Sequence, residues 1–283
     1  MVHIDFIGLG AQKTGSSWLY SCISEHPEIC SPLKDLHFFS RDRNWKKGVD
    51  WYNNIFKRCK KKFCIGEIST SYFYSEEAAI RIKKSVPHVN LLVVLRHPVE
   101  RAISHYNNDV KAGRVSPNLP FSEALKLHPE YIENSLYKKH LTNYLKHFPI
   151  ENIKIILYDD ICNDPLEALK GVFRYLSVDT NFTPSFLTSR INTARVPRSF
   201  FIDRTLSKIS RLISKAGFSR FIQYLRKIGA VDFLRDLNTS VDSEKRLESC
   251  RNYGKEIACM FESDIVWLEN ILNRDLSHWR AVK

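Results

Sequence analysis

The sequence predicts an α/β fold: a three-layer, P-loop-like arrangement with a central parallel sheet, flanking helices and a helical C-terminal region. Three observations predict it. A short apolar run, Ile4 to Leu9, leads into Gly10-Ala11-Gln12-Lys13-Thr14-Gly15-Ser16-Ser17 and then into a helical pattern from Trp18. Asn90 to Leu95 is a continuous apolar run, the mark of a strand covered on both faces. Strand-type and helix-type segments alternate as far as about residue 180, which is the pattern of a parallel sheet.

The elements follow in order. Strand, glycine turn with lysine and hydroxyls, then helix is the build of an anion cradle: backbone N–H groups and the helix N-terminus hold the anion, and Lys13 meets it as a point charge. The strict Walker pattern is not met, because Gln12 stands where its last glycine should be. Ser16 or Ser17 is the expected N-cap, and Pro27 ends the helix near His26. Next, Lys34-Asp35-Leu36-His37 sets a cation, a carboxylate and an imidazole within four positions, closed by Phe38-Phe39. It reads either as a catalytic loop or as a surface turn with two core phenylalanines. Residues 41–62 interleave Trp45, Trp51, Tyr52 and Phe56 with basic side chains; this is either a saccharide or nucleic-acid groove or a buried helix face.

Phe63 to Thr70 reads as a second strand ending in hydroxyls. Ser75-Glu76-Glu77-Ala78 opens a helix that Pro87 ends. The Asn90–Leu95 strand runs into Arg96-His97-Pro98, with Pro98 suited to a first helical turn. Arg96 then stands at a strand's C-terminal end and Ser104 two turns into the helix. In an open α/β sheet those strand ends form the ligand face, so Arg96 and the Lys13 loop should share one crevice. Residues 111–134, with three prolines and a glycine, read as an irregular excursion at a substrate mouth. A helix from Ser135 to Leu145, a strand from Ile153 to Tyr158 and a helix from Pro165 to about Tyr175 follow. Arg195 and Arg198 lie in a loop, residues 204–228 read as basic amphipathic helices that could touch a membrane or an acidic acceptor, and Leu247–Leu272 reads as one final helix.

The chain has 283 residues and reads as one domain, with an α/β core over 1–200 and a helical region over 201–283. Its formal charge of +12 points to anionic partners. No motif of nucleic-acid recognition supports direct binding of DNA or RNA. There is no run of about 18 apolar residues and no basic n-region at the start, so neither a membrane span nor a signal peptide is expected. The seven cysteines are scattered and form no C-x-x-C pair, which argues against zinc. Reduced thiols and a cytoplasmic location are the expectation, with a Cys59–Cys64 bridge left open. Oligomeric state is not legible.

The motifs now carry a resemblance. The chain resembles sulfotransferases that use 3′-phosphoadenosine 5′-phosphosulfate (PAPS), with patterns nearest to the heparan-sulfate-type and bacterial carbohydrate enzymes. Gln12-Lys13-Thr14-Gly15-Ser16-Ser17 is similar to the family's 5′-phosphosulfate loop, including the missing Walker glycine. Leu95 to Tyr106 is similar to its 3′-phosphate element, in which an Arg and a Ser, here Arg96 and Ser104, grip the phosphate. Lys34-Asp35-Leu36-His37-Phe38-Phe39 resembles the segment that supplies the catalytic carboxylate, with Asp in place of Glu. Tyr158-Asp159-Asp160 resembles a segment whose tyrosine lies at the adenine.

The resemblance implies in-line sulfuryl transfer from PAPS to an acceptor hydroxyl, on a carbohydrate or glycolipid, without a metal. Lys13 would stabilise the leaving oxygen, and Gln12, Thr14, Gly15, Ser16 and Ser17 would hold the 5′-phosphate. Asp35 is the first candidate base and His37 the second. Lys34, with His37, would meet the acceptor or tune the base. Arg195 and Arg198 are candidates for closing over the nucleotide, while Arg101 reads as a surface charge. The alternatives are a P-loop kinase or NTPase, for which Asp159 is the one tempting Mg²⁺ carboxylate, and a non-catalytic nucleotide-binding module.

Overall fold

The structure, a computed structural model, describes residues 3–59, 62–187 and 242–282. Five parallel strands form one sheet in the order β2-β3-β1-β4-β5: β1 (Phe6–Gly10), β2 (Ile29–Cys30), β3 (Cys64–Ile68), β4 (Asn90–Leu95) and β5 (Ile153–Leu157). β2, an edge strand of two residues, is absent from the sequence reading. β1 is central, flanked by β3 on one side and β4 on the other, and the strand order reverses there, which opens a crevice at the C-terminal ends of β1 and β4.

The apolar run of β4 is explained by its two faces. Leu91, Val93 and Leu95 join one buried cluster with Ile7 and Leu9, while Leu92 and Val94 join the other with Phe6 and Ile68. Helices α1 (Ser16–Glu25), α2 (Asp42–Trp45), α3 (Gly48–Ile55), α4 (Glu76–Ser85) and α5 (Pro98–Lys111) intervene between or follow the first four strands. α1 is capped by Gly15, at φ 104°, rather than by a serine. α4 starts as expected, with Ser75 Oγ accepting from Ala78 N–H at 3.1 Å. Phe38, Phe39 and Phe56 are fully buried and Tyr52 nearly so, and Trp45 and Trp51 pack on the same cluster beneath Arg81 and Lys47. The aromatic stretch is therefore core, and its tryptophans are occupied within the fold.

Three further expectations change. Residues 111–134 are not irregular but contain α6 (Phe121–Leu127) and α7 (Glu130–Glu133), after which α8 (Tyr137–Leu145) leads to β5. Tyr158 opens a helix, α9 (Tyr158–Asn163), before α10 (Pro165–Tyr175). The final helix is two, α11 (Asp242–Ile257) and α12 (Glu262–Leu272), separated by a 3₁₀ turn over Ala258–Phe261. The basic segment 204–228 lies outside the described residues. No helix among the described residues is long and apolar enough to cross a membrane.

The cysteine reading is also corrected. Cys30 and Cys59 form a disulfide, with Cα atoms 5.6 Å apart, joining the edge strand to the turn after α3. Cys64 is a free, buried thiol, so no Cys59–Cys64 bridge exists.

Candidate active site

The loop between β1 and α1 turns through conformations that need glycine. Gly10 has φ 131° and a side chain there would meet Thr70 O at 2.9 Å; Gly15, at φ 104°, would meet the Tyr158 ring at 3.1 Å. Lys13 itself has φ 69°, an uncommon state for a residue with a Cβ. The buried Tyr74 hydroxyl accepts Gln12 N–H at 2.8 Å, and Thr14 Oγ1 donates to Ala11 O at 2.9 Å. Thr14 is fully buried, so its hydroxyl braces the loop from within rather than facing a ligand.

A cleft of about 660 Å³ opens above this loop. Its walls bring together Gln12, Lys13, Gly15, Ser16, Ser17, Lys34, Arg96, Ser104 and Tyr158, all of them expected site residues. Arg96, at the end of β4, lies over the Tyr158 ring at 4.8 Å and pairs with Glu100 at 3.0 Å. Its backbone carbonyl accepts the Tyr137 hydroxyl at 2.7 Å. Lys13 Nζ donates to Asn108 Oδ1 at 2.9 Å. Burial lowers the Lys13 pKa to about 8, with Lys111, Arg114 and Arg96 pushing the same way against Asp109.

Asp35 and His37 stand behind this wall. Asp35 is reached through its partners: its carboxylate accepts from Lys34 Nζ at 2.8 Å and from Thr70 N–H and Oγ1 at 3.1 Å each, and both Lys34 and Thr70 line the cleft. Burial acts to raise its pKa, but the Lys34 and Thr70 bonds outweigh that and hold the carboxyl below its ordinary value. His37 Nδ1 lies 2.6 Å from Ser71 Oγ, and burial, then the Arg41 charge, lower its pKa, so it is neutral near pH 7. Both residues have positive φ, 59° and 52°, a rare state that tends to occur where backbone is held for function. Arg195 and Arg198 lie outside the described residues.

Several wall residues escaped the sequence reading as site groups. His105, Asn108 and Asp109 share the cleft with Arg41, Thr70, Arg114 and Glu130. Asn108 is legible in retrospect, being one turn beyond Ser104 on the same helix face. Asp109 is neutralised by the Arg114 guanidinium and by the Tyr131 hydroxyl at 2.8 Å. Burial, then the Arg101 charge, pushes His105 down to about 4. Arg101 is no surface charge: it is fully buried, donating to Ser135 Oγ and Tyr131 O at 2.5 Å each. Asp159, the carboxylate of the kinase alternative, does not line this cleft and accepts the Trp279 indole N–H at 2.8 Å. Among the described residues, no group of three or more His, Cys, Asp or Glu side chains is placed to hold a metal ion.

A parallel sheet with a glycine-lysine loop and a strand-end arginine facing one cationic cleft has the build of an α/β protein with an anion cradle at its strand ends. The particular family is given by comparison. A model of the sulfotransferase domain matches residues 3–196, and the chain belongs to that family. It is 32% identical over 181 residues to the mouse heparan sulfate glucosamine 3-O-sulfotransferase 5, covering 60% of this chain and 52% of that protein. It is 31% identical over 180 residues to the mouse heparan sulfate glucosamine 3-O-sulfotransferase 3B1, covering 60% of this chain and 45% of that one. The chain thus spans about half the length of these relatives. The fold is shared with a sulfotransferase from Alicyclobacillus acidocaldarius, with a TM-score of 0.68, 24% identity, and coverage of 99% and 100% of the two chains.

Proposed function

We propose that this chain transfers the sulfuryl group of PAPS to a hydroxyl of a glycan or glycolipid. The observation that carries the reading is the shared cleft: the Lys13 loop, Arg96 with Ser104, and Lys34 line one space, with Asp35 bonded directly behind Lys34 and Thr70. The residues present fit such a donor. Lys13, Lys34, Arg96 and Arg114 supply positive charge, Tyr158 supplies an aromatic face beside Gly15, and the cleft of about 660 Å³ suits a nucleotide. The names of the relatives, which act on heparan sulfate glucosamine, support a carbohydrate acceptor.

When bound, PAPS supplies the sulfuryl group and a leaving oxygen on its 5′-phosphate. The chain's own part is positioning and charge. The loop N–H groups, Ser16 and Ser17 hold the 5′-phosphate at the α1 N-terminus. Lys13 gives up its bond to Asn108 and donates to the leaving oxygen, where a poorly solvated ammonium is worth most. Arg96 and Ser104 hold the 3′-phosphate, the group that separates this donor from ATP. Asp35 takes the acceptor proton, kept ionised by Lys34 and Thr70, with His37 next in line. The expectation of a cytoplasmic enzyme meets the Cys30–Cys59 disulfide, a bond that persists in oxidising surroundings.

The test is transfer of ³⁵S from labelled PAPS to heparan sulfate and to a panel of glycolipids. Lys13→Ala is expected to lower turnover at least a hundredfold, and full activity of that variant ends the assignment of the loop. Asp35→Asn should be nearly inactive; activity in that variant with none in His37→Ala transfers the role of base to His37. Stabilisation by ATP with Mg²⁺ but not by adenosine 3′,5′-bisphosphate in thermal unfolding would contradict the donor.

A further inference from the structure

Glu67, near the end of β3, is fully buried, and no cation pairs with it among the described residues. A strand position between two covered faces is normally filled by an apolar side chain, since an unpaired buried carboxylate is costly. What Glu67 does have is two hydroxyl donors. Ser69 Oγ donates to Oε2 and Tyr72 Oη donates to Oε1, each at 2.7 Å. The buried Tyr52 hydroxyl stands close enough to act on its charge but makes no hydrogen bond of good geometry. Burial raises the Glu67 pKa to about 7 against the opposing pull of Tyr72 and Ser69.

Each hydroxyl has a second bond, on its acceptor side. Ser69 Oγ accepts His37 N–H at 3.0 Å, and Tyr72 Oη accepts Phe38 N–H at 2.9 Å. A backbone N–H only donates, so a hydroxyl that accepts from one must aim its single proton elsewhere. The Glu67 carboxylate takes both protons, one on each oxygen. We propose that Glu67 is a positioning residue: through Ser69 and Tyr72 it holds the backbone of the Asp35–His37 loop in its working conformation. The inference rests on the reading of that loop as the source of the base. The loop needs such a hold, because Asp35 and His37 both stand at positive φ without being glycine. The two links from Glu67 complement two direct ones from the same stretch, Asp35 N–H to Ile68 O at 2.8 Å and Thr70 N–H to the Asp35 carboxylate.

The experiment compares wild type with Ser69→Ala, Tyr72→Phe and Glu67→Gln. Amide hydrogen exchange is followed at His37 and Phe38, alongside ³⁵S transfer from PAPS to heparan sulfate. Ser69→Ala should speed exchange at His37 at least tenfold, and Tyr72→Phe should do the same at Phe38. Glu67→Gln offers an N–H to one hydroxyl and should release at least one of the two. In all three, amides of residues 10–17 and the affinity for adenosine 3′,5′-bisphosphate should stay within twofold. The kcat should fall at least tenfold while KM for PAPS holds, and Ser69→Thr should restore both exchange and kcat. Wild-type exchange at His37 and Phe38 in the Ser and Tyr variants overturns the proposal even if Glu67→Gln does not fold. Lost stability with unchanged kcat overturns it as well, leaving Glu67 a core residue. If the wild type transfers no sulfate to any acceptor, the proposed activity fails, and amide exchange alone still decides whether Glu67 holds the loop.

Discussion

In the role proposed for it, Lys13 sets fold stability against ligand affinity, and its lowered pKa gives each a pH dependence. In the free protein it is mostly buried and its pKa is lowered to about 8. An unfolded lysine keeps its proton to about 10.4, so between these values the unfolded chain binds more protons and the ligand-free fold gains stability as pH rises. Ligand affinity runs the other way. An anion beside the ammonium favours the charged form, so affinity is full below pH 8 and falls as Lys13 deprotonates. Phosphate groups titrate near 6, and the arginines of the cleft stay charged, so neither produces a limb in this range. By calorimetry, the Kd for adenosine 3′,5′-bisphosphate should weaken by up to about tenfold per pH unit above pH 8. Lys13→Met should bind more weakly and without that limb; an identical slope in the variant would assign the titration to another group.

At the scale of elements, the segment that matters most is the one from β2 to β3, which carries Lys34, Asp35 and His37 between the paired Cys30 and Cys59. The bridge spans 29 positions, and closing a loop of that length in the unfolded chain is worth about 3–4 kcal/mol in the chain-entropy view. Cys59→Ser should lower the urea unfolding free energy by about that amount, and the wild type should lose the same on reduction, while the variant should not respond. This bridge was beyond sequence reading because its partners lie in separate elements, Cys30 in β2 and Cys59 in the turn after α3, which meet only in the folded chain. Other parts were legible for local reasons. β4 declared itself by an apolar run, and the Lys13 loop and Arg96 by motifs confined to a few residues. α6 and α7 were hidden because Pro120 and Pro129 looked like breaks, whereas each precedes a first helical turn, where a missing N–H costs nothing. Glu67 gave no local signal, since a single acid in a short strand is ordinary until its burial is known.

Across the whole molecule, the C-terminal segment ties the ligand face together. Asp264 at the start of α12 accepts Lys138 N–H at 2.8 Å, Arg274 grips Asp160 at 2.6 Å, and Ala281 O lies 3.2 Å from His97 Nε2. Trp279, 1% exposed, packs between His97 and Tyr137 while donating to Asp159. The residues it secures are telling: His97 directly follows Arg96, and Asp159 directly follows Tyr158. One side chain, distant in sequence, therefore braces the ends of β4 and β5 from which both cleft residues project. Trp279→Ala should cost about 3–5 kcal/mol of stability, read from the urea midpoint, because a large buried side chain leaves a cavity. Trp279→Phe keeps most of the packing and loses the indole bond, and should cost less, with Asp159 left without its donor. If the segment only stabilised the fold, both variants would bind adenosine 3′,5′-bisphosphate like the wild type wherever they remain folded. Because it braces the strand ends, Trp279→Ala should weaken binding severalfold at temperatures well below its unfolding transition, with the loss largest for the 3′-phosphate: adenosine 5′-phosphate, which keeps the adenine but lacks that group, should lose less affinity than adenosine 3′,5′-bisphosphate.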